Sequence, residues 1–190
     1  MSARPIVRLA SVLAFAVSLA LGLGACGQSS YPNVADANNN GGYVQAGPIT
    51  YQLQISRQLN PYSVEDHEYL TGVTAPPPGP DEEWYGVFLW AKNQTHEPAT
   101  TTDSFDIVDT QGNVYYPVPI DASINPYAWT PQVLQPLGVQ PTPGSTASTG
   151  PTGGQLVLFK INISAYANRP LTLQIRAPGE PRVSLISLDL

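Results

Sequence analysis

The segment Ile49-Thr50-Tyr51-Gln52-Leu53-Gln54-Ile55 alternates apolar and polar residues without a break. Successive side chains of a strand point to opposite faces, so this spacing puts Ile49, Tyr51, Leu53 and Ile55 on one face and predicts a strand half-buried against a core. The next apolar run, Trp84-Tyr-Gly-Val-Phe-Leu-Trp-Ala-Lys92, is apolar at both parities. That is expected of a central strand covered on both sides or paired beneath a loop, and Gly86 and the aromatics argue against a helix. Phe105 and Ile107 alternate with Asp106, and Asp109-Thr110-Gln111-Gly112-Asn113 then supplies turn residues ahead of Val114-Tyr115-Tyr116-Pro117. A hairpin follows, with Gly112 at positive φ.

Residues 155–163, 171–176 and 183–188 complete a set of seven strands. No long stretch shows the i, i+3, i+4, i+7 apolar pattern of a helix. Only Asn60 to Tyr69 suits a short one, with Asn60 as N-cap and Pro61 as first helical residue. Seven short strands joined by turn-rich connections predict an all-β fold, an antiparallel β-sandwich of two facing sheets. Two connections are unusually long: residues 72–83, stiffened by Ala75-Pro76-Pro77-Pro78-Gly79-Pro80, and residues 140–154, whose Gly, Ser and Thr content predicts a mobile segment.

Ahead of the strands lie Arg4 and Arg8, an apolar run from Leu9 to Leu21, and Leu23-Gly24-Ala25-Cys26, which carries the single cysteine. The run is too short for a spanning helix, which needs roughly 20 apolar residues, and has the form of a secretory signal peptide. A Leu three residues before a Cys, with Gly and Ala between, resembles the lipobox of bacterial lipoproteins. That resemblance implies that Cys26 is diacylated and becomes the mature N-terminus. An ordinary secreted protein would instead carry Cys26 as an unpaired thiol, an awkward residue in an oxidising compartment. The expected organisation is a signal peptide over 1–25, lipidated Cys26 and a flexible Asn/Gly/Ser tether over 26–48, and the sandwich domain over 49–190. The expected location is the outer face of the cytoplasmic membrane, with the bilayer as one partner through Cys26.

Loss of Arg4 and Arg8 with the leader takes the formal charge from −6 to −8. The remaining basic residues, Arg57, Lys92, Lys160, Arg169, Arg176 and Arg182, are scattered, so nothing is placed to neutralise a run of phosphates and nucleic acid is not an expected partner. Without a second cysteine the domain has no disulfide and depends on its core.

Phe105-Asp-Ile-Val-Asp-Thr-Gln-Gly112-Asn-Val-Tyr115 and Gly154-Gln-Leu-Val-Leu-Phe159-Lys-Ile161 are similar to segments of a group of secreted or lipid-anchored bacterial proteins, many actinobacterial. These proteins carry an immunoglobulin-like domain of unknown function. The matching segments are structural ones, so the resemblance implies the fold and assigns no binding residue.

No reaction is legible. His67-Glu68 and His96-Glu97 begin a zinc-protease pattern, but Thr71 and Thr100 stand where its second histidine belongs. No nucleophile elbow and no phosphate-binding glycine loop occurs, so neither an enzymatic activity nor a cofactor is expected. Glu65, Asp66, His67 and Glu68, together with Asp81, Glu82 and Glu83 of the next loop, offer metal-ligand atoms but also read as a solvated acidic surface. The more suggestive feature is Asn-Pro-Tyr, found at 60–62 and again at 125–127 with Trp129 close behind. Asn before Pro initiates a turn, which would present Tyr62 and Tyr127 at loops. With Tyr69, Trp129 and Pro77 they form the expected interaction set, directed at another cell-envelope protein. A tyrosine after a turn can equally cap the end of a sandwich. The alternatives are a small-ligand or glycan binder using Tyr127 and Trp129, and an enzyme or metal binder built on the acidic segment around His67.

Overall fold

The computed structural model describes residues 34–36 and 43–188. Two sheets face each other. In the first, β1 (Val34–Asp36), β12 (Val183–Ser187), β11 (Thr172–Arg176), β6 (Phe105–Val108) and β7 (Val114–Tyr115) lie side by side in that order. In the second the order is β10 (Gln155–Asn162), β4 (Glu82–Asn93), β3 (Ile49–Leu59) and β2 (Tyr43–Ala46), and β9 (Val139–Gln140) pairs with β4 beyond the end of β10. Pairing is antiparallel except between β1 and β12. A small separate pair joins β5 (Ala99–Thr100) to β8 (Val133–Leu134). The molecule is an antiparallel β-sandwich, as its strand patterns predict.

The core between the sheets takes Ile49, Tyr51, Val87 and Leu89 from one side and Phe105, Ile107, Leu173, Ile175 and Ile186 from the other. Ile55 leaves this face, contrary to the strict alternation. The register of β3 on β4 shifts between Leu53, opposite Leu89, and Ile55, opposite Phe88. The extra residue is a β-bulge, and a one-residue slip turns every later side chain over. Ile55 is left 37% exposed, while Ser56 turns inward and its hydroxyl accepts a hydrogen bond from Tyr85 Oη at 3.2 Å.

The outer face of the second sheet is also covered. Leu59, Trp84, Phe88, Leu156 and Leu158 point away from the sandwich interior and are buried beneath Tyr69, Tyr127, Ala147 and the connecting loops. This second core explains why residues 84–92 are apolar at both parities. Gly86 lies in it opposite Arg57 and Leu158, where a Cβ would stand 3.0 Å from Leu59 Cδ1 and 3.1 Å from Leu156 Cδ1.

Several boundaries differ from those expected. The domain does not begin at Ile49, because β1 and β2 fall within the stretch assigned to the tether. β2 was obscured by the Asn- and Gly-rich residues before it, and four residues are too few for alternation to stand out. The short helix α1 (Val64–Tyr69) starts later than Asn60: its N-cap is Ser63, whose Oγ accepts from Asp66 N–H at 3.2 Å. Asn60 and Pro61 instead form the turn before it, closed by Ser63 N–H donating to Asn60 O at 3.0 Å.

Residues 140–154, expected to be mobile, contain the one-turn helix α2 (Thr146–Thr149), which seats Ala147 in the second core. Gln140 at their start is fully buried, accepts from Thr101 Oγ1 at 2.8 Å and donates to Thr130 O at 3.0 Å. The hairpin turn is as read, with Gly112 at φ +82°. Asp109 organises it by accepting from the N–H groups of Gln111 and Asn113, each at 2.9 Å.

Candidate functional site

The two Asn-Pro-Tyr turns have the same local geometry. Tyr62 N–H donates to Asn60 Oδ1 at 3.0 Å, and Tyr127 N–H donates to Asn125 Oδ1 at 2.9 Å. Their surroundings differ. Asn125 is buried, and its Nδ2 donates to the carbonyls of Tyr69 at 2.9 Å and Thr71 at 2.7 Å, clamping its loop to the end of α1. Tyr127 is then carried inward, with its ring centroid 4.7 Å from that of Tyr69 in an edge-to-face contact. Tyr69 in turn packs edge-to-face on Phe88 at 4.9 Å.

Two members of the expected interaction set are therefore corrected. Tyr69 is 1% and Tyr127 7% exposed, so neither is available to a partner. Both belong to the second core, because the outer face of β4 and β10 is apolar and needs aromatic area to cover it. Burial pushes the Tyr69 hydroxyl up to about 12, and the neighbouring Glu65 carboxylate, which accepts its hydrogen bond at 3.2 Å, adds to the shift. Trp129 is half-buried. Its Nε1 donates to Thr102 O at 2.8 Å, and its ring lies 5.6 Å from Phe105 and 6.0 Å from Tyr51. Cys26 lies outside the described residues.

Tyr62 is 94% exposed at the tip of its turn. The backbone beneath it is held from several directions. Asn60 N–H donates to Asp66 Oδ2 at 2.8 Å, and Arg57 donates to Asp66 Oδ1 at 2.6 Å, which ties the turn and α1 to β3. Burial alone would raise the Asp66 carboxyl, but Arg57 and the Asn60 N–H together outweigh it and hold the group below its ordinary value. Beside Tyr62, the loop after α1 brings Pro77 and Pro78 against the start of β4, leaving a cleft of about 330 Å³ lined by Asn60, Pro61, Tyr62, Pro77, Pro78 and Trp84. The structure thus joins Tyr62 and Pro77 at one place. It adds Val64, 85% exposed as the first residue of α1 beside that turn, where a valine opening a helix gives no signal of exposure in the sequence.

The acidic segment does not assemble a metal site. Asp66 points inward to Arg57, whereas Glu65, His67 and Glu68 are exposed. No group of three or more metal-ligating side chains is gathered among the described residues.

No family model and no curated protein matches this chain. Three solved bacterial structures resemble it. The yjhA protein from Bacillus subtilis superposes with a TM-score of 0.45 at 10% identity, over 77% of this chain and 96% of that one. An uncharacterized β-sandwich protein from Clostridium difficile 630 gives 0.45 at 10% identity, over 86% and 98%. A conserved hypothetical protein from Bacillus anthracis gives 0.43 at 16% identity, over 76% and 92%.

Proposed function

We propose that this chain is a lipid-anchored, non-catalytic interaction module of the bacterial cell envelope, and that residues 60–64 with Pro77 and Pro78 form its docking edge. The observation that carries the reading is Tyr62, almost fully exposed on a turn whose backbone is pinned by Asn60, Ser63 and Asp66. An aromatic side chain held in place before binding loses little conformational entropy on docking. A tyrosine that acts as a hot spot in a partner's pocket is worth about 2 kcal/mol or more.

Membrane attachment rests on the Leu23-Gly24-Ala25-Cys26 sequence after the apolar run. Two acyl chains, at about 0.8 kcal/mol per buried methylene, supply the stable anchoring that one chain does not. Attachment to the membrane raises the effective concentration of the docking edge toward other membrane proteins.

Crosslinking in intact membranes, followed by mass spectrometry, tests the proposal. A specific envelope protein captured by the native chain and lost with Tyr62→Ala plus Val64→Ser would support it. Equal capture by the folded double variant would overturn it.

A further inference from the structure

β10 is paired with β4 along one side only. Its other side is closed by two short segments at different heights: Val118 N–H donates to Leu158 O at 2.7 Å, while Trp129 N–H donates to Leu156 O at 2.8 Å and Leu156 N–H to Tyr127 O at 2.7 Å. Between these closures a cleft of about 210 Å³ opens at the edge of the sandwich. Most of the side chains that wall it are apolar, among them Phe105, Pro117, Val118, Ile120, Trp129 and Leu158. The indole is fixed there by its bond to Thr102 O, and it lines the cleft together with the Phe105 ring 5.6 Å away.

One charged residue borders the cleft. Asp103, next to the carbonyl that holds Trp129, makes no side-chain hydrogen bond or ion pair among the described residues, and no lysine or arginine lines the cleft. Asp106 and Asp109 differ. Asp106 is paired with Arg176, and Asp109 is engaged by Asn113 and Asn168. An uncompensated carboxylate beside an indole is the pair that recognises an ammonium group, through charge and through cation–π attraction. The acidic net charge of the chain favours the approach of a cation further.

We infer that this cleft binds a small primary amine with an apolar body, the body held between Trp129, Phe105 and Pro117 and the ammonium received by Asp103. The volume lies below the usual range of roughly 300–1,000 Å³ for drug-sized ligands and suits one ring with a short amine-bearing chain. The site is separate from the docking edge at Tyr62 and does not depend on that reading.

Phenethylamine is a suitable probe, with phenethyl alcohol as its uncharged counterpart. The indole N–H resonance of Trp129, assigned by its loss in Trp129→Phe, is followed in the full-length chain during titration at neutral pH and low salt. The amine should shift that resonance with a dissociation constant on the order of 1 mM. The alcohol should bind about tenfold more weakly, and Asp103→Asn should bring the amine down to the alcohol's level, the loss of one charge-assisted contact. Asp103 is exposed, so the variant keeps the fold. No shift of the Trp129 resonance at about 10 mM amine, or amine and alcohol binding equally, or amine binding unchanged in Asp103→Asn, would each overturn the inference.

Discussion

Asn125→Ala should be far more damaging than its counterpart Asn60→Ala, although both remove the asparagine of an Asn-Pro-Tyr turn. Asn125 is 1% exposed and makes three hydrogen bonds, two donated to the Tyr69 and Thr71 carbonyls and one accepted from Tyr127 N–H. Each such bond contributes about 1 kcal/mol net, and a buried group left without a partner costs about 1–3 kcal/mol. The loss is then about 3 kcal/mol at least, a large part of the stability of a domain whose total is on the order of 5–15 kcal/mol. Asn60 is exposed, and its side chain makes one bond, to Tyr62 N–H. Its removal should cost about 0.5–1 kcal/mol. Urea unfolding followed by tryptophan fluorescence measures both, and an unchanged slope would show that midpoint shifts report stability. A loss below about 1 kcal/mol in Asn125→Ala, or equal losses in the two variants, would refute the view that residues 121–129 are clamped to α1 by this amide.

Three further outcomes are expected. The Asp66 carboxyl is held below its ordinary value of 3.8, so its contribution is complete above that pH and is lost as pH falls through its lower folded value. Asp66→Asn should therefore flatten the acid limb of a stability-against-pH curve, and an unchanged limb would count against the Arg57–Asp66 pair as its cause. The buried Tyr51 and Tyr69 hydroxyls are pushed up to about 12, so the unfolded chain gives up their protons first as pH rises above 10 and stability declines from there. Burial and the neighbouring Glu83 carboxylate raise the Tyr166 hydroxyl as well, so ultraviolet titration should show at least three tyrosines ionising late and together with unfolding, whereas complete ionisation by pH 11 in the folded protein would contradict their burial. Cys26→Ala should move the protein from the membrane to the medium, and persistent membrane retention would dismiss the lipid anchor.

Of the seven expected strands, β3, β4, β10, β11 and β12 were legible from their length or alternation, as at residues 49–55 and 171–176, and β6 and β7 from the turn residues 109–113 between them. β5, β8 and β9 were not, since two residues have no period, and they are strands only because a distant partner pairs with them. The bulge after Leu53 was equally hidden. Nothing in Gln54 marks it as the residue that β4 leaves without a partner, yet it decides the direction of Ile55.

For the candidate site, residue types alone nominated both Asn-Pro-Tyr turns, and local chemistry treats them identically, each asparagine accepting from its tyrosine's N–H. That these turns form, that the strands alternate and that residues 84–92 need cover on both faces follows from residue order alone. That Tyr127 supplies part of that cover while Tyr62 remains outside follows from packing between distant segments. The reason is that burial depends on what packs opposite. The Asn125 amide finds the Tyr69 and Thr71 carbonyls across some 55 residues of chain, and Tyr127 follows it onto the Tyr69 ring, whereas the turn at Asn60 projects beyond the apolar face and leaves Tyr62 facing solvent.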